Sequence, residues 1–412
     1  MNMNSIKSHT WIKISLANLA IVALIGLLMR YKIAYSFPWA DQKNLLHAHS
    51  HFAFTGWVAM ALMTLMIQRL SYDHSKNYFP KYKVLLIINL ISAYGMLFSF
   101  PFQGYAPLSI SFSTLSIFTG FAFAFMFWKD LNNGERNVSA PWFKAALFFN
   151  VISALGAFYL AYMMATKTAT NMRYLSSLYY YLHFQYNGWF IFGCMGLFVP
   201  WLEAAGIKKS KLNLSFYLLT ISCLFAYFLS AIWLPIPKWL FALVAVSAVT
   251  QCIAWGYLVI EIFKLRKKLT NIILSGFWWV ISLSGIAITI KYLLQLGTTF
   301  PHLSQIALGF RPIIIGYLHL VLLGVVSLFL LGYSFVSGAL FTTRLSRSGL
   351  VIFVTGIILN EVLLAIQGTA ALSYFPVPYI NEALLLAAFV LFLGGLFLWA
   401  GSKKPPVLKL RK

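Results

Sequence analysis

Runs of about twenty apolar residues recur along this 412-residue chain and constrain its fold more than any other feature. A helix of about 20 apolar residues crosses the hydrocarbon core of a bilayer, and helices satisfy their own backbone hydrogen bonds there. The runs fall at residues 11–29, 46–68, 84–103, 109–128, 143–165, 178–200, 213–234, 238–263, 271–297, 311–335, 348–367 and 379–400. They predict an all-α polytopic membrane bundle of about 12 transmembrane helices, formed by residues 1–412 as a single domain.

The composition favours a membrane protein over a soluble or nucleic-acid-binding one. The chain is 61% hydrophobic and 9% charged, whereas soluble domains carry about 25% charged residues. A formal net charge of +23 is typical of nucleic-acid binding or of basic cytoplasmic loops, and the apolar runs favour the loops. We therefore expect membrane lipid as the partner, no nucleic acid, and a multi-pass location in the cell membrane.

The distribution of basic residues between loops predicts the orientation. Of the 31 Lys and Arg residues, seven fall in one alternating set of loops: Arg30, Lys32, Lys43, Lys167, Arg173, Lys238 and Arg311. Lys291 falls inside the ninth run, and the remaining 23 fall in the other set of loops or in the termini. Because basic loops stay in the cytoplasm, we expect both termini to be cytoplasmic and the first apolar run to be a retained helix.

The three cysteines argue against several redox and metal sites. Cys194, Cys223 and Cys252 are widely separated, and the chain has no CxxC or CxxCH sequence. The chain therefore lacks the sequence signatures of thioredoxin-like chemistry, a zinc ribbon and covalent c-type haem attachment. We interpret the three cysteines as small buried residues.

The histidines, in contrast, are concentrated at one end of three helices. His47, His49 and His51 lie in LHAHSHFAFTGW, His183 in YYYLHFQYNGW and His319 in GYLHLVLLG. His51 and His319 each follow the nearest outer basic residue by eight positions, and His183 follows by ten. At a rise of 1.5 Å per residue, all three lie about 12–15 Å inside the outer charges.

Imidazole at this depth predicts a metal or haem site. A neutral imidazole binds a metal through one nitrogen and donates a hydrogen bond through the other, and polar groups inside a membrane are usually functional. His47 and His51 share a helix face, whereas His49 points the other way. The HxHxH segment is also compatible with an extended metal-binding tract, so the ligand among these three stays open.

Twelve helices with histidines on the second, sixth and tenth resemble the main subunit of the haem-copper oxidases and nitric oxide reductases. HSHFAFTGW is similar to the helix-two segment of that family, in which a histidine precedes an apolar stretch containing Phe and Gly-Trp. The resemblance covers the chain at the level of architecture. It implies haem b held by His51 or His47 and by His319, and a metal ligand at His183.

The chain departs from that family at several ligand positions. The tenth helix carries one histidine where the family has two, and residues 213–234 carry none where the family has a pair. Gln185 and Asn187 follow His183 where the family has an acid. The resemblance then implies one haem, or one haem with an incomplete copper site built from His47, His49 and His183.

Three charged residues extend the predicted site. Haem propionates need cations, and Arg311 and Lys291 are candidates near the outer side, although Lys291 could also snorkel to the surface. Glu361 lies within the eleventh helix, and an intramembrane carboxylate is a functional hypothesis by default. It could relay protons, hydrogen-bond a ligand histidine or pair with Lys291.

The function expected from these residues is the handling of electrons or a diatomic gas, O2 or NO, at a histidine-ligated haem. An oxidoreductase activity is a hypothesis, and its partners would be an electron-donor protein or quinol and accessory subunits. Two alternatives are a secondary transporter, a class in which twelve helices are also common, and a copper or haem delivery protein that uses HAHSH as its acceptor.

Overall fold

The computed structural model describes residues 3–133, 137–273, 276–300, 302–304 and 309–403, with side chains from Ser8 onward. Of the basic residues counted above, Arg136, Lys404, Lys409, Arg411, Lys412 and the side chain of Lys7 lie outside these ranges. Helices make up 85% of the structure, and the described residues form no strand beyond one isolated bridge between Phe341 and Lys403. The predicted all-α polytopic class is confirmed.

Each of the twelve predicted segments overlaps a helix. The long helices are α1 Met3–Ala34, α2 Gln42–Asp73, α3 Phe79–Gln103, α4 Pro107–Asn132, α5 Ser139–Ala165, α6 171–204, α7 Lys209–Leu229, α8 Lys238–Lys264, α9 Trp278–Gly297, α10 Arg311–Val336, α11 Arg344–Leu372 and α12 Ile380–Gly401. Most extend past the predicted bounds, because polar interfacial residues continue the helical backbone beyond the apolar run.

Eleven of the helices within the described ranges are long and apolar enough to cross a membrane. The other is α6, which runs through three consecutive segments of 13, 7 and 14 residues. Its middle segment, FQYNGWF, contains Gln185 and Asn187, which lower its hydropathy. These polar side chains are buried among neighbouring helices, where a span tolerates them better than it does in lipid.

The predicted ninth helix, 271–297, is wrong at its start. The basic stretch before it forms a separate short helix, Arg266–Ile272, and α9 begins at Trp278. The sequence RKKLTNI is too polar to enter hydrocarbon with the apolar residues that follow.

The structure divides into two compact units, formed by the described residues of 1–123 with 330–412 and by those of 124–329. In the first unit, α11 and α12 approach closely through glycines on both helices. A Cβ on Gly349 would lie 2.6 Å from the backbone nitrogen of Leu398, and one on Gly356 would lie 2.9 Å from that of Leu391. Small residues at such contacts allow close van der Waals packing between membrane helices.

Polar side chains join α1, α2 and α3 within the same unit. Asn18 of α1 donates to the carbonyl oxygen of Gly56 in α2 at 2.6 Å, and Tyr94 of α3 donates to the Asn18 side-chain oxygen at 2.9 Å. Ala48, Met96 and Phe100 form a buried apolar contact between α2 and α3. The first unit therefore holds the histidine end of α2 from two sides.

In the second unit, consecutive helices are joined by side-chain hydrogen bonds. Gln185 of α6 donates to Asn150 of α5 at 2.9 Å, and the Trp255 indole of α8 donates to Thr289 of α9 at 2.9 Å. Ser284 of α9 donates to the carbonyl oxygen of Val325 in α10 at 2.7 Å. Buried donors of this kind satisfy acceptors that water cannot reach.

We expect Ser284→Ala to lower the free energy of unfolding by about 1 kcal/mol, because the Val325 carbonyl would lose its donor in a buried site. Thermal unfolding of the purified protein in one detergent measures the change. Ser111→Ala is the matched control, because its exposed hydroxyl donates only to Pro107 of its own helix. Equal midpoints for the two variants would contradict this account of the α9–α10 contact.

Candidate functional site

Three helices change from α-helical to π-helical geometry one or two residues after a histidine. In α2 the π segment is Ala53–Ala59, two residues after His51. In α6 it is Phe184–Phe190, directly after His183, and in α10 it is Leu320–Ser327, directly after His319. π segments are rare and frequently mark functional sites, so the three predicted histidines share an unusual local structure.

A short sequence repeat accompanies the three π segments and was missed by the sequence analysis. HFAFTG, HFQYNG and HLVLLG each place a glycine five residues after the histidine, at Gly56, Gly188 and Gly324. The first two copies also share Phe at the second position and Trp after the glycine. The copies lie on α2, α6 and α10, so they recur every fourth helix. This recurrence is the kind of internal repeat that can be recognised from sequence alone.

The carbonyl groups of two π segments receive donors from neighbouring helices. Asn18 donates to Gly56 and Asn89 donates to Thr55 at 3.0 Å in α2, while Ser284 donates to Val325 in α10. A π segment displaces carbonyls from the regular helical pattern, and a carbonyl in a membrane interior needs a partner. These buried polar residues therefore support the histidine-bearing helices.

His47 and His51 face one aromatic cluster in the first unit. The His51 ring stacks on Phe100 with centroids 4.6 Å apart, and its Nε2 lies 2.9 Å from the Tyr105 hydroxyl. The His47 ring meets Tyr105 edge-on at 4.6 Å, and its Nε2 is buried with no hydrogen-bond partner. The structure therefore brings His47 and His51 together.

His49 faces the opposite direction, as its position in the sequence predicts. Its Nδ1 lies 3.1 Å from the Val22 carbonyl oxygen of α1. Gly26 of α1 packs against the ring so closely that a Cβ there would lie 3.3 Å from His49 Cε1. His49 is thus held against a neighbouring helix, apart from the His47 and His51 face.

His183 has both ring nitrogens engaged. Nε2 donates to the Cys223 carbonyl oxygen at 2.9 Å, and Nδ1 accepts from the Asn187 side-chain nitrogen at 3.0 Å. This pattern corresponds to a neutral imidazole with its proton on Nε2. Neither nitrogen faces a metal position in this arrangement, so the predicted ligand role of His183 stays a prediction.

His319 is half-buried, and its Nδ1 lies 2.9 Å from the carbonyl oxygen of Ile315 in its own helix. A backbone carbonyl at one nitrogen is the usual support for a ligating histidine, in which the other nitrogen binds the metal. Arg311, the other predicted site residue of α10, is the first residue of that helix and is exposed.

Lys291 is only 1% exposed, so the structure shows no snorkelling to the surface. Its ammonium nitrogen lies 4.0 Å from the centroid of the Tyr292 ring, a cation–π distance. Glu361 lies half-buried in α11 and accepts a hydrogen bond from Asn360 at 3.1 Å. Lys291 belongs to the second unit and Glu361 to the first, and their predicted pairing stays a prediction.

The described residues contain no group of three or more His, Cys, Asp or Glu side chains arranged to hold a metal ion. The arrangement therefore supplies individual imidazoles, each oriented by a hydrogen bond or an aromatic ring, and not a preformed multidentate site. Individual axial imidazoles suit haem iron, whose other ligands come from the porphyrin.

Comparison with protein-family models and with curated proteins found no match for this chain.

Proposed function

We propose that this protein is an integral membrane haem protein, resembling the main subunit of the haem-copper oxidases, that handles electrons or a diatomic gas. The observation that carries the proposal is the repeated unit of histidine, π segment and glycine on α2, α6 and α10. His183 has both ring nitrogens hydrogen-bonded within the protein, so the candidate iron ligands are His319 and either His51 or its neighbour on the same helix face, His47.

The candidate ligands differ in how well their geometry fits haem iron. His47 fits because its Nε2 is buried without a hydrogen-bond partner beside an aromatic cluster, and such an atom costs free energy unless a ligand completes it. His51 would first have to release Tyr105. His319 fits through its backbone-supported Nδ1. The bound haem would supply reversible redox chemistry and gas binding.

The protein's own residues would orient the ligands and exclude water. Phe100 and Tyr105 surround the His47 and His51 rings, and Asn18 and Asn89 fix the backbone just beyond them. Arg311 stays the predicted partner of a haem propionate, and Lys291 a second one. Glu361 stays a predicted proton relay, supported by its depth within α11.

Copper is not supported to the same degree. His49 is packed on α1 and His183 has both nitrogens engaged, so these residues do not fit a copper centre as they are arranged. Reduction of O2 or NO would need an external electron donor. An electron-donor protein or quinol with accessory subunits remains the proposed context, and oxidoreductase activity remains a hypothesis.

We also propose that both termini face the cytoplasm and that the histidine ends of α2, α6 and α10 lie near the outer face of the cell membrane. The support is the asymmetry of basic residues between alternating loops. Electrons or gas would then reach the haem from the outer side.

The first prediction of the proposal is that the purified protein is red and contains haem b. The reduced pyridine haemochrome spectrum measures both the haem type and its stoichiometry, and we expect about one haem per chain, as the reduced set of histidines relative to the oxidase family implies. Protein produced with abundant haem that shows no haemochrome would contradict the proposal. Substrate uptake into proteoliposomes by haem-free protein would favour a secondary transporter, and metal removed by a chelator would favour a delivery protein.

The second prediction separates the two faces of the HAHSH segment. We expect His319→Ala to abolish the low-spin absorption spectrum, because haem iron loses an axial imidazole. Of His47→Ala and His51→Ala, we expect at least one to do the same. His49→Ala and the loop variant His302→Ala should keep the spectrum, because His49 faces α1. Loss of the spectrum in His49→Ala alone would contradict the assignment of the ligand face.

The third prediction concerns orientation. We expect green fluorescent protein fused after Lys412 to fluoresce and alkaline phosphatase fused at the same place to be inactive in bacterial cells, because the basic C-terminal tail stays in the cytoplasm. Fusions after Lys167, in the loop before α6, should show the reverse pair of activities. Active phosphatase at the C-terminus would overturn the proposed orientation.

A further inference from the structure

The core of the second unit contains a cation that no carboxylate neutralises. Lys291 is 1% exposed, and within the described residues it has no ion pair and no hydrogen bond; its one polar contact is the face of the Tyr292 ring. A buried charge left unpaired in a membrane interior carries a large free-energy cost. Within the described residues only the Tyr292 ring contacts this ammonium group, so a bound polar molecule would lower that cost.

Buried acceptors without donors lie close to this cation. Gln295 is one helical turn from Lys291 on the same face of α9, and its side-chain oxygen is buried and unpartnered. Asn187 donates to His183, which lies within electrostatic range of Lys291, and the Asn187 side-chain oxygen is likewise unpartnered. A donor and two acceptors are thus left unmatched in one region.

Two thiols border the same region. Cys223 of α7 has its sulfur 3.9 Å from His183 Nε2, and Cys252 of α8 has its sulfur 3.6 Å from the carbonyl oxygen of Tyr292. Both cysteines lie within electrostatic range of the Lys291 ammonium. Residues of α6, α7, α8 and α9, all of which belong to the second unit, thus contribute to this region.

We propose that these residues line an internal hydrated chamber, in which a small cluster of water molecules binds the Lys291 ammonium and donates to the Gln295 and Asn187 oxygens. Water fits this set because it accepts from the cation and donates to both side-chain oxygens, with two to four polar partners available per molecule. A small anion would satisfy Lys291 but would face the two amide oxygens unfavourably. This role for Lys291 is an alternative to its predicted pairing with a haem propionate, and it does not rest on the proposed haem function.

The three native cysteines provide the test, because methanethiosulfonates react with the thiolate, which forms only where water reaches the sulfur. Variants that keep one cysteine each, with the other two replaced by alanine, would be treated with methyl methanethiosulfonate in lipid nanodiscs and analysed by mass spectrometry. Cys194 is the matched control: it is 6% exposed, against 2% for Cys223, and lies in the apolar run IFGCMGLF of α6.

We expect Cys223 to be labelled at least about tenfold faster than Cys194, because a thiol in contact with water forms the reactive thiolate more readily than a thiol in apolar surroundings. Adding Lys291→Met to the Cys223-only variant should slow labelling of Cys223 to the rate of Cys194, because the chamber loses the charge that holds water. Gln295→Leu, which leaves the Lys291 charge in place but removes one acceptor for the water, should slow it partly. Equal slow rates for Cys223 and Cys194 would overturn the proposal, and so would a Cys223 rate unchanged by Lys291→Met.

Discussion

In a bilayer, every polar backbone group must find its partner within the protein. The three π segments are the places where the helical backbone alone does not meet this requirement. A π segment interrupts the regular pairing of carbonyl and amide groups. In α2 and α10 the displaced carbonyls accept from Asn18, Asn89 and Ser284 on neighbouring helices. Irregular backbone thus persists at membrane depth because neighbouring side chains satisfy it.

The same constraint explains why polar residues are buried where they are. Asn18 and Asn89 have structural roles that do not require a ligand, and so does Gln185, which donates to Asn150 and Ser153. Once these residues are accounted for, eight buried side-chain nitrogen or oxygen atoms within the described ranges lack a partner. His47 in the first unit and Lys291 with Gln295 and Asn187 in the second are the positions from which ligands can be inferred.

The sequence predicted the helical membrane class and the place of nearly every helix, because hydrophobic length decides both. It also predicted that His47 and His51 share a face, which follows from helical geometry alone. It did not predict that His183 is satisfied by Cys223 and Asn187. The Cys223 contact joins α6 to α7, and single-sequence periodicity carries no information on which residues of two helices meet; the Asn187 contact lies within α6 at a spacing of four and follows helical geometry.

Hydropathy could not predict the π segments or the burial of Lys291. The π segments depend on tertiary contacts, although the recurrence of histidine and glycine five residues apart was readable in HFAFTG, HFQYNG and HLVLLG. Lys291 could be placed inside α9 from the sequence, but whether it reached the surface depended on the helices around it. Its burial, at 1% exposure, is a property of packing in the second unit.

The central claim is that imidazole from the histidine and π-segment units binds haem iron. Near-infrared magnetic circular dichroism of the oxidised protein tests it most directly, because the energy of the charge-transfer band identifies the axial ligands. The account predicts a low-spin haem with histidine ligation, lost in His319→Ala. A haem whose band indicates methionine or thiolate ligation, or one unaffected by replacing His47, His51 and His319, would contradict it.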